Sequence, residues 1–122
     1  MPNTQQQRSA VGRYGEDVAA RHLADAGMEV LARNWRCDLG EVDVVARDGD
    51  TLVICEVKTR CGLDYGTPLE AVTVRKMARL RRLAARWLAE SGHHPPQVRI
   101  DVVSVLLRGR GAALVEHLRG VA

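Results

Sequence analysis

The segment from Glu41 to Lys58 constrains the fold of this chain more than any other. Two strand-like runs, Glu41 to Arg47 and Thr51 to Lys58, flank Asp48-Gly49-Asp50, a strong turn signal. In the first run Val42, Val44 and Ala46 share one face at a period of two. The second carries Leu52, Val53, Ile54 and Val57, residues that suit a pleated, covered surface. Together the runs predict a β-hairpin.

The hairpin decides which polar side chains meet. Glu56 and Lys58 point the same way, with Arg60 following by parity, while Val53, Cys55 and Val57 point the other way. Asp43 lies on the face opposite Val42 and Val44. A four-residue loop, Asp48 to Thr51, sets Asp43 directly across from Glu56. A two-residue Asp48-Gly49 loop sets it across from Ile54, still on the same face. A three-residue loop spoils the match unless a bulge corrects it. In the first two registers one face gathers Asp43, Glu56 and Lys58.

Facing carboxylates repel unless a cation lies between them. Hard oxygen ligands of this kind suit Mg²⁺ or Mn²⁺, with the Val57 carbonyl as a third candidate ligand. A lysine beside them can hold a phosphate or orient an attacking water. The spacing D-x12-E-x-K is weakly specific by itself, and an ion pair of Lys58 with Glu56 or Asp43 accounts for it equally well. Position favours the site: these charges interrupt apolar runs, and charges are rarely buried without a partner.

Around the hairpin, Ser9 or Gly12 to Ala26 has helical periodicity, and Gly27 suits a C-cap. Gly12, Gly15, Glu16, Ala19 and Leu23 fall on adjoining faces, so the small residues allow close approach to a sheet and Glu16 could reach the metal. Met28 to Trp35 reads as a strand and Cys61 to Pro68 as a loop. Thr73 can cap a helix running to Ser91 that Gly92 ends. Val98 to Leu107 is a strand and Ala112 to Leu118 a weaker one. The expected fold is one α/β domain over residues 1–122, a mixed sheet with helices on both faces. Its order is α-β-β-β-α-β-β, with residues 1–9 a flexible N-terminus. The helix between the third and fourth strands permits a right-handed crossover into a parallel neighbour.

The chain has 122 residues, 46% of them hydrophobic, enough to bury a core without disulfides. Only Tyr14, Trp35, Tyr65 and Trp87 are aromatic, so that core must be aliphatic. Three cysteines with no CxxC pair point to reduced thiols rather than a disulfide framework or a zinc knuckle. No apolar run is long enough for a membrane span, and the polar start lacks the apolar core of a signal peptide. A cytoplasmic protein without a membrane partner is expected.

Charge is unevenly spread. Residues 1–71 hold 8 Lys/Arg against 12 Asp/Glu, and residues 72–122 hold 10 against 3. An acidic metal cluster beside a basic phosphate-binding surface has this pattern. On the helix after Thr73, Arg75, Arg79, Arg82 and Arg86 form a stripe opposite Met77, Leu80, Ala84, Trp87 and Leu88, with Lys76 and Arg81 on the flanks. Arginine forks suit phosphate. Without interleaved aromatics the stripe predicts salt-sensitive, weakly sequence-dependent binding. His93 and His94 read as an exposed turn, His22 as a helix-flank residue and His117 as lying near a frayed end. Ser104 lacks a His–Asp pair, and no P-loop or dinucleotide fingerprint is present.

Taken in order, Gly12-x-x-Gly15-Glu16-x-x-Ala19, Asn34-Trp35-Arg36, Gly40-Glu41-Val42-Asp43, Glu56-Val57-Lys58-Thr59-Arg60 and Ala71-Val72-Thr73-x-Arg75-Lys76 carry a family likeness. The sequence resembles the YraN-like family of bacterial predicted endonucleases and, more distantly, archaeal Holliday junction resolvases. The resemblance spans about residues 12 to 104. It implies a restriction-endonuclease-like fold of the PD-(D/E)xK type and an active-site quartet of Glu16, Asp43, Glu56 and Lys58. It also implies Mg²⁺ and a DNA substrate.

The function expected is metal-dependent hydrolysis of DNA phosphodiester bonds, in branched or structured DNA. DNA would lie along Arg60, Arg75, Lys76, Arg79, Arg82 and Arg86. Two alternatives stand beside it: a nucleic-acid-binding module that keeps the fold without cleaving, and a structural protein whose acidic pocket holds a metal. A homodimer would suit a two-strand cut, and the edges of a short mixed sheet offer a surface for one.

Overall fold

The computed structural model describes residues 4–62, 70 and 72–121, and the side chains from Ala10 onward within them. Seven elements follow the expected order: α1 (Thr4–Asp25), β1 (Glu29–Cys37), β2 (Gly40–Asp48), β3 (Thr51–Cys61), α2 (Val74–Ser91), β4 (Gln97–Leu107) and β5 (Leu114–Leu118). The strands form one sheet in chain order, β1-β2-β3-β4-β5. Among the described residues only β3 and β4 pair in parallel, because α2 carries the chain back across the sheet between them. This is the mixed sheet with flanking helices of the restriction-endonuclease-like arrangement.

Two cores, aliphatic but for Trp87 and the partly buried Trp35 beside it, lie against the sheet. One, under α2, joins Leu52, Ile54 and Ile100 to Met77, Leu80, Leu83, Ala84 and Trp87. The other, under α1, joins Val53, Cys55, Val103 and Val105 to Ala19 and Leu23. β3 thus obeys strict alternation, even-numbered residues toward α2 and odd-numbered toward α1. Most of the expected loop after Cys61 lies outside the described residues.

Helix α2 begins and ends where its caps dictate. The Thr73 hydroxyl accepts the Lys76 N–H at 3.1 Å, and Gly92 adopts φ 74 while its N–H bonds Leu88 O, an αL stop that a side chain would strain. Helix α1 begins at Thr4, ahead of the expected start at Ser9 or Gly12 and within the segment expected to be flexible. Gln5, Gln6, Gln7 and Arg8 are fair helix formers, and no proline or glycine interrupts them.

The hairpin register is the four-residue alternative: Asp48 pairs Thr51 and Val44 pairs Cys55. The expected alternation of β2 is corrected. Val44 and Ala46 pack under α1, but Val42 packs with Val45 under α2. The strand therefore turns its faces over at Asp43. At the same level of β1, between the pairs Arg33–Val44 and Trp35–Val42, Asn34 takes φ 51, a left-handed conformation asparagine tolerates better than most residues. Sequence periodicity assumes an unbroken pleat and cannot register this irregularity.

A candidate metal centre beside a basic cavity

Asp43 sits where the β2–β3 ladder gives out. The regular pairs end at Val44–Cys55, and one residue further the Asp43 carboxylate accepts the Val57 N–H at 2.8 Å. A side chain thus replaces the next rung of the ladder and is locked across the strand gap.

Two other carboxylates converge on it. Glu16 arrives from α1 and Glu41 from the start of β2, and the three half-buried groups offer ligand oxygens all within 4.8 Å of one another. Glu16 reaches this position because α1 lies very close to β3 at Gly15. A Cβ built there would overlap the Thr59 side chain, so only glycine fits. Burial first, then the charge of Glu56, push the Asp43 carboxyl up to about 7, with smaller contributions from Glu16 and Glu41 and against the pull of the Val57 N–H. Like charges in a poorly hydrated pocket resist joint ionisation.

Glu56 is near enough to repel Asp43, yet its carboxylate is engaged elsewhere. It faces α2, where Lys76 Nζ lies 2.8 Å from Glu56 Oε1. The expected Asp43–Glu56 pair is thus joined by Glu41, which the sequence reading left out; Glu56 is held in its ion pair with Lys76 and Glu41 is bridged to Arg36 at 3.0 Å. Glu41 carried a usable signal: it lies two residues before Asp43. Lys58 is exposed and Arg60 largely buried. Both line a cavity of about 290 Å³ with Glu70, Thr73 and Lys76. Val57 adds its N–H to the site through Asp43.

On the outer face of α2, Arg75, Arg79 and Arg82 are exposed as expected, but Arg86 is half-buried. It bridges Asp38 at 2.5 Å and Glu90 at 3.7 Å, so its fork is largely committed within the chain. A second polar cluster was not foreseen. Asp101 is fully buried and accepts from Arg99 twice, from the Gly120 N–H and from His117 Nε2 at 2.8 Å. Burial pushes its carboxyl up, but these hydrogen bonds outweigh it and hold it below its ordinary value. The other ring nitrogen of His117 meets His22 Nε2 at 3.1 Å. Burial, reinforced by His117 and Arg119, lowers the affinity of His22 for a proton.

The fold and site thus define a small α/β protein with a carboxylate pocket at a broken strand pairing and a cation-lined cavity beside it. Comparison with known proteins gives the family. Residues 15–105 match the model of the uncharacterised protein family UPF0102. The chain is 63% identical over 110 residues to the UPF0102 protein of Parafrankia sp. (strain EAN1pec), covering 90% of this chain and 93% of that protein. It is 61% identical over 116 residues to that of Kineococcus radiotolerans, covering 94% and 95%, and 62% over 117 residues to that of Streptomyces coelicolor, covering 94% and 90%. This chain belongs to the UPF0102 family, the one its ordered motifs resemble. No helix among the described residues is long and apolar enough to cross a membrane.

Proposed function

We propose that this protein is a divalent-cation-dependent endonuclease that hydrolyses DNA phosphodiester bonds. One observation carries the reading: Glu16, Glu41 and Asp43 converge within 4.8 Å, and Val57, which Asp43 holds, is followed on the same strand by Lys58 and Arg60, which line a cavity with Lys76. Carboxylates able to hold a metal, near cations able to hold a phosphate, are what phosphoryl chemistry needs.

The donor set fits Mg²⁺ or Mn²⁺. All three groups are hard oxygens, two of them glutamates able to adjust, and a cation would relieve the repulsion that raises Asp43. Asp43 would be the central ligand, since the Val57 N–H already fixes it, with Glu16 and Glu41 on either side. When bound, the ion supplies Lewis-acid polarisation of a phosphoryl oxygen and an acidified water. Lys58, free to reach from the cavity mouth, would hold a phosphate oxygen or orient the water. Arg60 and Lys76 would bind the strand, and Arg75, Arg79 and Arg82 would extend the contact along the backbone without reading bases.

The test is incubation of linear, forked and four-way DNA with Mg²⁺ or Mn²⁺. Cleavage of at least one substrate is expected. Lys58→Ala should lose it by about 10²-fold or more while still binding DNA. Salt-sensitive binding without cleavage under either cation would make the protein a binding module on a nuclease fold. Absence of binding and cleavage would refute both.

A further inference from the structure

The ion pair between Glu56 and Lys76 lies at the boundary between the acidic pocket and the basic cavity. Glu56 belongs to the first by its place on β3: the Asp43 carboxylate accepts the N–H of the next residue, Val57, at 2.8 Å, and the charge of Glu56 acts on Asp43 from there. Lys76 belongs to the second, as one wall of the cavity that also holds Lys58, Arg60, Glu70 and Thr73. The pair is well shielded, with side chains 14% and 26% exposed, so its attraction is less screened than that of a surface pair. The Lys76 backbone is fixed by the Thr73 cap. Its side chain carries the only freedom needed: rotation of a flexible stem between two neighbouring positions.

Resting on the nuclease reading, we propose that Lys76 is an exchangeable counter-ion, bound to Glu56 in the metal-free protein and to a phosphate oxygen of the DNA strand once a divalent cation has taken over Glu56. The exchange follows from charge. A doubly charged ion among Glu16, Glu41 and Asp43 competes for Glu56 more strongly than an ammonium does. The released ammonium then stands in a cavity already lined by two further cations. Metal and phosphate binding are thereby coupled: each removes one partner of the pair that opposes the other.

Two titrations of the intact protein decide the matter. Calorimetry with Mn²⁺ should give Lys76→Met about tenfold higher affinity than wild type, because the competing cation is gone. Binding of a short duplex in Ca²⁺ should be about fivefold to tenfold weaker in the same variant, and Lys76→Arg should restore both values toward wild type. In a Glu56→Gln background the Mn²⁺ effect of Lys76→Met should vanish, and circular dichroism checks that each variant is folded. Should Lys76→Met fail to fold, Lys76→Gln serves in its place. Equal Mn²⁺ affinity in wild type and Lys76→Met overturns the exchange and leaves the nuclease reading standing. Tighter Mn²⁺ binding with unchanged duplex affinity overturns the transfer to phosphate. No Mn²⁺ binding by either protein overturns the metal site and the exchange with it.

Discussion

Asp43 holds its proton against an ordinary value of 3.8 up to about 7, and that has a consequence for stability. Between these values the folded chain keeps a proton that the unfolded chain releases. Stability therefore falls as pH rises from about 4 to about 7 and is level above that. Asp43→Asn removes the titration. Urea unfolding of both proteins from pH 4.5 to 8.5 should show the variant gaining on wild type through this window, to an advantage of ~1–3 kcal/mol at pH 8. That is less than the full shift implies, because the group is partly hydrated. A gap independent of pH would mean that Asp43 is well solvated. Mn²⁺ should reverse the order by stabilising wild type alone. Asp101 has the opposite character, a buried carboxylate held ionised by its donors. Asp101→Asn would leave Arg99 and His117 short of acceptors and should cost ~2–4 kcal/mol, measured in the same way. Loss of the exposed Arg47–Glu29 bridge should cost ~1 kcal/mol or less.

At the level of elements, the close approach of α1 to β3 is what brings Glu16 to the carboxylate cluster. Gly15→Ala must push the helix away from Thr59. The expected result is a loss of ~1–3 kcal/mol of stability and weaker Mn²⁺ binding, even though alanine is the better helix former. Gly12→Ala meets nothing within 4 Å and should stabilise slightly, by ~0.5–1 kcal/mol. Thermal melts of the two variants, which share chemistry and helix, separate packing from propensity. This contrast also marks how far the sequence could be read. The hairpin was legible because Asp48-Gly49-Asp50 marks its turn locally, but its register was not, since loops of two, three or four residues all fitted that turn; α2 was legible because Thr73 and Gly92 sit at its ends. The closeness of Gly15 was legible as small residues on one face, though not which glycine matters. The turnover of β2 at Asp43 was hidden, since Val42 and Val44 look identical in a periodic pattern. The Asp101–His117–His22 chain was hidden for another reason. Its hydrogen bonds join residues 16 and 95 positions apart, and no local signal connects them. Helix α2 lost one expected contact the same way: Arg86 lies on the arginine stripe, but Asp38, 48 positions away, takes its fork.

For the whole molecule, the uneven charge of the sequence becomes a spatial division. Glu16 of α1 and Glu41 and Asp43 of β2 gather at the broken ladder, and the cations of β3 and α2 line the cavity and the exposed helix face. Apart from the Glu56–Lys76 pair that joins the two regions, such a division lets the outer face of α2 bind a polyanion while the carboxylate pocket binds a cation. Phosphate binding by the arginine stripe should then separate experimentally from metal binding. Neutralising Arg75, Arg79 and Arg82 together to glutamine removes up to three phosphate contacts and no metal ligand. Duplex affinity should fall equally for unrelated sequences, and the slope of log K against log salt should shrink by about 2–3. Mn²⁺ affinity should stay unchanged, because these exposed forks lie outside the carboxylate group. Arg86→Gln should alter the slope by much less than 1, since its bonds to Asp38 and Glu90 leave little to give a phosphate. A full unit of slope lost with Arg86 would show that DNA breaks the Asp38 bridge and that α2 engages the backbone along its entire length. An unchanged slope in the triple variant would move the DNA path off the outer face of α2, leaving the Lys58–Arg60–Lys76 cavity as its point of contact.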